Sequence, residues 1–287
     1  MTRSDNSAVP EYSQFLRLDD RGFVVVGAGM GMGRQSAHAL AQLGARVVCV
    51  DIEQDRAEEV AAEVKGVPMV ADVRREDAVA GVVAAARQEL GSLDGIVDVV
   101  GMARWAPVTD MPTEDWDWSF DMCLRHAFNL CKHGGRALAE SGGGSMVFVA
   151  SVDGWLSAPF HAAYGAAKAG LMSLVRTAAV ELRSSEVRVN AVAPGGTATP
   201  RILGDRDLEE VASGSLLTMG RTSDIASAVL FLSSDLSHHV SGVVLAVDGG
   251  DAALPTYRHD APPVPPGQGI GQDVGQAGPA GPAGQAS

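Results

Sequence analysis

The sequence predicts an α/β protein built on one doubly wound parallel sheet. Between residues 22 and 250, short runs rich in valine alternate with longer stretches of helical periodicity, and the first run leads into a glycine-rich turn. Several runs are apolar at successive positions, as is typical of strands that helices cover on both faces. No internal repeat and no linker-like stretch interrupts these residues, so a single domain is expected.

Seven strands are predicted in chain order. Each is a short β-branched run followed by a segment with apolar residues at helical spacing, the pattern of repeated strand–helix–strand units. The predicted strands are 23–27, 46–51, 67–72, 95–100, 145–150, 187–193 and 243–247.

The two ends of the chain differ from this domain. Residues 1–21 carry charges throughout and are predicted to form an N-terminal extension before the domain at 22–250. Residues 251–287 are rich in proline, glycine and glutamine, with little apolar surface to bury, and are predicted to be a flexible tail. The tail is either a dispensable extension or a segment that packs on a neighbouring subunit.

Composition excludes several classes of function. The chain has 22 basic and 35 acidic residues, for a net charge of −13, which disfavours nucleic-acid and membrane partners. Three cysteines cannot form a disulfide framework and have no metal-ligand spacing, so no metal is expected. With no apolar run of membrane-spanning or signal-peptide length, a cytoplasmic setting is expected.

The turn at 27–33 has the features of a phosphate-binding loop. It follows a strand and opens a helix, and Gly27, Gly31 and Gly33 would allow a tight turn and close approach of a pyrophosphate. The next strand ends in Asp51, whose carboxylate can accept hydrogen bonds from a ribose and would repel the extra phosphate of NADP. NAD is therefore the predicted cofactor. Asp72 ends the third strand and is either an adenine contact or a helix cap.

A candidate catalytic group follows the fifth strand. Ser151 stands at the strand end, and Tyr164 and Lys168, four positions apart, share one face of the next helix. A nearby ammonium favours the phenolate, so Lys168 is expected to lower the pKa of Tyr164 and make it usable as a general acid or base. The serine hydroxyl could then hold the reacting oxygen.

In this order and spacing, these motifs resemble the short-chain dehydrogenase/reductase superfamily, in its common branch of about 250 residues. Further matches are the segment 188–195 with Thr199, the segment 225–235, and the segment 242–250. The resemblance implies a Rossmann-type sheet of order 3-2-1-4-5-6-7 and hydride transfer between a nicotinamide and a secondary alcohol or ketone. It also implies a homotetramer with contacts through the helix 164–182 and the region 242–250, although a dimer is an alternative.

Site residues follow from the same resemblance by position. Tyr164 would be the acid/base, Lys168 would hold the nicotinamide ribose, and Ser151 would orient the substrate oxygen. The implied cofactor-binding residues are Gly27, Met30, Gly31, Met32, Gly33, Asp51, Ile52, Asp72, Val73, Val99, Gly101, Tyr164, Lys168, Pro194, Gly195, Thr197 and Thr199.

The chain departs from the family pattern at three places. Val26 stands where the family has a threonine, and Asp98-Val99 replaces an asparagine pair that braces the cofactor pocket. Asp98 is expected to supply a substitute acceptor. On the predicted helix 114–138, Cys123 occupies the position of the proton-relay asparagine, and cysteine is a weak hydrogen-bonding residue.

Three functions compete. The first is an active NAD(H)-dependent alcohol dehydrogenase or ketoreductase with an altered relay, favoured because Ser151, Tyr164 and Lys168 are all present. The second is a catalytically silent nucleotide-binding or regulatory protein, and the third is a non-redox reaction on the same fold. The loop 199–221 offers an apolar cover, so an apolar alcohol or ketone, cyclic compounds included, is the substrate hypothesis.

The mouth of the site is predicted from aromatic and polar residues. Trp105, Trp155 and Phe160 either wall the pocket or pack in the core, and Asp153 and His161 lie where they could meet a polar group. Arg104 is a further candidate there. The other histidines, His126 included, show no convergent spacing and receive no role.

Overall fold

The protein is described from a computed structural model, which covers residues 8–253. Seven parallel strands form one sheet of order β3-β2-β1-β4-β5-β6-β9, which confirms the predicted fold and strand order. Two further strands of two residues, β7 and β8, pair only with each other. The strands are β1 Gly22–Val26, β2 Arg46–Asp51, β3 Val67–Val70, β4 Gly95–Asp98, β5 Gly144–Val149, β6 Val187–Pro194, β7 Thr197–Ala198, β8 Gly220–Arg221 and β9 Val244–Val247.

The strand ends differ from the prediction by two residues at most. The larger differences are at β3 and β4, which end before Asp72 and Val99 because the chain there leaves the ladder to build the loops of the site. At β3, an edge strand, the side chains alternate between half-buried and exposed positions.

Helices cover both faces of the sheet, as doubly wound sheets require. One core lies under α3, α5 and α6, and the other lies under α1, α2 and α9. The helices are α1 Gly31–Gln42, α2 Gln54–Val64, α3 Glu76–Leu90, α4 Thr113–Phe120, α5 His126–Glu140, α6 Ala162–Leu182, α7 Pro200–Leu203, α8 Leu208–Val211 and α9 Thr222–Ser233.

The helix predicted over 114–138 is interrupted. Between α4 and α5 the backbone forms a π-helical turn at Asp121–Arg125, with Cys123 buried at its centre. Single π-helical turns inside α-helices are frequent at functional sites.

Part of the predicted N-terminal extension packs on the domain. Tyr12–Leu16 form a short 3-10 helix, and Leu18 is fully buried in the core shared with β1. The predicted tail lies outside the described residues from 254 onward. Within residues 8–253, none of the helices has the length and apolar character needed to cross a membrane.

Candidate active site

The glycine-rich turn is shaped by close packing. Gly27 directly follows β1 with a φ of +81°, and its amide donates to the Val50 carbonyl at 2.8 Å. A Cβ on Gly33 would lie 1.9 Å from the Gly27 carbonyl oxygen, so only glycine lets α1 begin this close to the strand. Met30, at the N-cap position of α1, makes no side-chain hydrogen bond to the helix. Amides of the first turn are therefore available to bind an anion.

Asp51 ties the end of β2 to this turn. Its Oδ2 accepts from the Gly29 amide at 2.9 Å, and its Oδ1 accepts from the Glu53 amide at 3.1 Å. The neighbouring Ile52 is exposed. The carboxylate therefore lies beside the phosphate-binding turn, where the sequence predicts a ribose contact.

The basic residue that ends the glycine-rich motif is already paired. Arg34 donates to both carboxylate oxygens of Glu63 on α2, at 2.8 and 2.7 Å, and His38 contacts the same group. These contacts lower the pKa of Glu63 to about 2, and the hydrogen bond with Arg34 is the largest cause. The Arg34 charge is thus balanced within the fold.

After β3, the Asp72 carboxylate pairs with a nearby arginine. Asp72 accepts from its neighbour Arg74, with Oδ1–Nε at 2.8 Å and Oδ2–Nη2 at 2.6 Å, and this pairing is the main cause of its lowered pKa. It does not cap α3, whose N-terminal cap position is Arg75. Val73 beside it is buried.

The remaining predicted cofactor residues approach the turn from two sides. A Cβ on Gly27 would lie 3.0 Å from Val99, and a Cβ on Gly31 would lie 3.3 Å from Pro200, next to Thr199. Farther along the same edge, Gly195 packs against Asp248, and Thr197 donates to the Gly195 carbonyl. The fold thus brings the residues after β1, β4 and β6 to one edge of the sheet.

Ser151, Tyr164 and Lys168 lie at the same edge. Ser151 follows β5, and its hydroxyl accepts from the Asp153 amide at 3.2 Å. Lys168 is buried on α6, and its Nζ donates to the Val149 carbonyl at 2.7 Å while lying 5.8 Å from the Tyr164 ring centroid. A Cβ on Gly101 would approach this Nζ to 2.8 Å.

Two opposing effects act on the pKa of Tyr164. Burial raises the pKa of Tyr164 above its usual value, and the Lys168 ammonium and a hydrogen bond with Ser151 oppose this shift without cancelling it. Lys168 thus lowers the pKa of Tyr164 as expected, but loss of solvent around the phenol outweighs this effect.

Cys123 lies beside these groups. Its thiol donates to the Met102 carbonyl across 3.3 Å, and a Cβ on Gly101 would lie 3.8 Å from its sulfur. Burial raises the pKa of this thiol.

Aromatic side chains border the mouth. Trp105 stacks on His161 with ring centroids 3.9 Å apart and meets Tyr164 edge-on at 5.8 Å. His161 Nδ1 lies 3.0 Å from Asp153 Oδ2, but outside hydrogen-bond alignment. Trp155 and Phe160 are about half exposed, so neither packs in the core.

Sequence reasoning missed the partner of Asp98. The Asp98 carboxylate contacts His126 of α5 at 2.8 Å and accepts from the Val100 amide at 3.1 Å, so its oxygens serve contacts within the fold. The expected role of Asp98 as a substitute acceptor in the cofactor pocket stays a prediction. His126 gave no sequence signal because its partner lies on another element.

Taken together, the sheet order and glycine-rich turn define a Rossmann-type dinucleotide-binding protein. The family model described as Enoyl-(Acyl carrier protein) reductase matches residues 27–251. The cis-4-hydroxycyclohexanecarboxylate dehydrogenase of Sinomonas cyclohexanicum is 36% identical over 244 residues, covering 82% of this chain and 98% of that protein. FabG of Thermotoga maritima, a 3-oxoacyl-(acyl-carrier-protein) reductase, is 33% identical over 246 residues, covering 82% and 99%.

Solved structures agree. A 7α-hydroxysteroid dehydrogenase, complexed with NADH and 7-oxo glycochenodeoxycholic acid, superposes with a TM-score of 0.77 at 30% identity, covering 83% of this chain and 96% of that one. The chain belongs to the short-chain dehydrogenase/reductase superfamily and is an oxidoreductase. Membership supports a nicotinamide dinucleotide as its cofactor.

Proposed function

We propose that the protein is an NAD(H)-dependent oxidoreductase that interconverts a secondary alcohol and a ketone. The observation that carries this proposal is the gathering of Ser151, Tyr164 and Lys168 at the sheet edge that also bears the glycine-rich turn. A nicotinamide bound there would accept or donate the hydride. The uncapped start of α1 and the glycine packing fit such a ligand.

The protein residues would handle the proton and the oxygen. In the oxidation direction, Tyr164 Oη takes the proton of the substrate hydroxyl, and in reduction it returns a proton to the ketone oxygen. Ser151 Oγ would hold that oxygen in line with Tyr164. The Lys168 ammonium favours the phenolate electrostatically and would hold the ribose hydroxyls.

The choice of NAD over NADP rests on local charge. Asp51 lies against the turn, where a phosphate on the adenosine ribose would meet a carboxylate. The nearby Arg34 is paired with Glu63, so its charge is already balanced. The other basic residue near the turn is Arg56, whose Cβ lies close to Gly29. The Asp51 carboxylate, which lies against the turn, therefore favours a free ribose diol over a ribose phosphate.

The substrate class follows from the mouth and the loop after β7. Trp105 faces Tyr164 and His161, and Leu216 and Leu217 are strongly exposed on the loop 199–221, where they could close over an apolar ligand. Proteins similar to this chain include a hydroxycyclohexanecarboxylate dehydrogenase and a hydroxysteroid dehydrogenase, both named for alcohols on rings. An apolar alcohol or ketone, cyclic compounds included, is therefore proposed.

The proposal also includes an oligomer in a reducing, cytoplasmic setting. Phe120, Leu124, Phe128 and Leu174 border a mostly apolar groove of about 440 Å³ between α4, α5 and α6. Phe128 is 51% exposed and Val180 is 75% exposed on these helices. A homotetramer, or a dimer, would cover this surface with a second copy of the chain.

The experiment is a screen of cyclic and acyclic secondary alcohols with NAD, repeated with Tyr164→Phe. We expect the variant to retain NADH affinity and to lose on the order of 10²–10⁴ in kcat, because the phenylalanine keeps the ring and removes the proton carrier. Better kcat/KM with small polar hydroxy acids would contradict the substrate class.

The alternative function is a catalytically silent nucleotide-binding protein. No turnover of any tested alcohol or ketone by the unmodified protein, together with no change of any readout in Tyr164→Phe, would favour this alternative, because the phenol would then have no catalytic role. NADH affinity retained in both proteins would then show that the chain binds the nucleotide without catalysing a reaction.

A further inference from the structure

A buried polar contact joins β4 to α5, and the chemistry proposed above does not use it. Asp98 Oδ2 lies 2.8 Å from His126 Nε2, and the two side chains are 2% and 0% exposed. Polar groups this deeply buried are costly unless each has a partner. A contact of this kind is therefore expected to have a specific role.

Both residues also hold backbone on either side of the contact. Asp98 Oδ1 accepts from the Val100 amide at 3.1 Å, so the carboxylate bends the chain directly after β4. His126 Nδ1 lies 3.4 Å from the Asp121 carbonyl oxygen, inside the π-helical turn. The pair thus links the loop 99–102 to the turn Asp121–Arg125.

The two linked segments meet again at the candidate active site. The loop carbonyl of Met102 accepts from the Cys123 thiol of the π-helical turn. Gly101 of the loop passes so close to Lys168 that a Cβ would approach Nζ to 2.8 Å, and Val99 packs against Gly27 of the phosphate-binding turn. A shift of the loop would therefore move the wall that faces both Lys168 and the glycine-rich turn.

We propose that Asp98 and His126 are positioning residues, which fix the loop 99–102 against the π-helical turn and so shape the cofactor side of the active site. This inference rests on the proposed function, since it assigns Lys168 and the glycine-rich turn to cofactor binding. Neither residue touches the reacting atoms, and their effect passes through Val100, Gly101 and Met102.

Three variants separate this role from general stability. Asp98→Ala removes both contacts, whereas Asp98→Asn retains an oxygen for the Val100 amide and an NH₂ group for His126 Nε2. The control is Leu90→Ala, which opens a cavity at the opposite edge of the sheet, where Leu90 packs against Gly22. Each is studied as the full chain, well below its melting temperature.

The first readout is amide hydrogen exchange, which needs no cofactor. Asp98→Ala is expected to speed exchange in peptides covering 99–102 and 121–126, Asp98→Asn to stay close to the unmodified protein, and Leu90→Ala to change neither peptide. Unchanged exchange in both peptides of Asp98→Ala would overturn the proposal.

The second readout is NADH affinity by calorimetry, followed by the split between kcat and KM once a substrate is known. We expect Asp98→Ala to weaken NADH binding about tenfold or more and to lower kcat on the order of 10²-fold, with recovery in Asp98→Asn. Loosened exchange with unchanged NADH affinity and unchanged kcat would reduce the pair to a structural role. Failure of the unmodified protein to bind NADH or NADPH would instead contradict the proposed function, and the exchange data would still report on the loop.

Discussion

Tyr164 lies where two effects on its pKa oppose each other. Burial of the phenol raises the pKa and is the larger effect, and the Lys168 ammonium on the next helical turn lowers it. Burial thus favours the protonated phenol, and Lys168 favours the phenolate. The protonated phenol is the form that can donate a proton to a ketone.

The pH dependence of the two directions follows from this. Alcohol oxidation needs the phenolate, so kcat/KM for oxidation is expected to rise toward alkaline pH, while ketone reduction needs the phenol and falls in the same range. Lys168→Met removes the ammonium that favours the phenolate, so the pKa of Tyr164 rises further. The pH at which kcat/KM for oxidation rises should therefore be higher in this variant. A rise at the same or a lower pH would contradict the role given to Lys168.

The elements that carry the site were predictable because their signals are local. Valine-rich runs gave each sheet strand to within two residues, and the glycine-rich turn was read from its glycines and its place between a strand and a helix. The π-helical turn at Asp121–Arg125 and the Asp98–His126 contact were not predictable, since both depend on which helix packs behind β4. The lowering of the Tyr164 pKa by Lys168 was predictable, but the larger, opposite effect of burial was not, because burial is a property of the folded chain.

The start of α1 has no room for a side chain at Gly33. Gly33→Ala would place a Cβ 1.9 Å from the Gly27 carbonyl, so α1 must move away from the turn. We expect a lower free energy of unfolding and a loss of NADH affinity of at least tenfold. Denaturant unfolding and calorimetry measure the two effects.

Gly81→Ala is the matched control for this substitution. Gly81 lies inside α3 with no atom within 4 Å of its added Cβ. Its replacement is expected to stabilise the protein by about 0.5–1 kcal/mol and to leave NADH affinity unchanged. Equal effects of the two substitutions would contradict the steric account of Gly33.

The whole molecule combines an acidic surface with an apolar face on α4–α6. A net charge of −13 keeps copies of the chain apart in general, so association must come from a specific apolar contact. Phe128 and the groove beside it supply one such surface. Contiguous exposed apolar surface of this kind marks interaction sites.

Assembly is therefore testable by sedimentation at micromolar concentration. The unmodified protein is expected to sediment as a tetramer or a dimer, and Phe128→Glu to shift the distribution toward smaller species, because a carboxylate would be buried in the contact. Lys132→Gln, on the exposed side of α5, also changes the charge by −1 and is the charge-matched control, which should leave the distribution unchanged. A monomeric unmodified protein would overturn the proposed oligomer.

Binding of NAD(H) at the sheet edge can be tested without any substrate, by calorimetric titration of the purified protein with NADH and with NADPH. We expect clear NADH binding with NADPH at least tenfold weaker, and a smaller difference in Asp51→Asn, which keeps an acceptor for the Gly29 amide and removes the charge. Equal or tighter NADPH binding would contradict the role of Asp51. Binding of neither would contradict the dehydrogenase function itself.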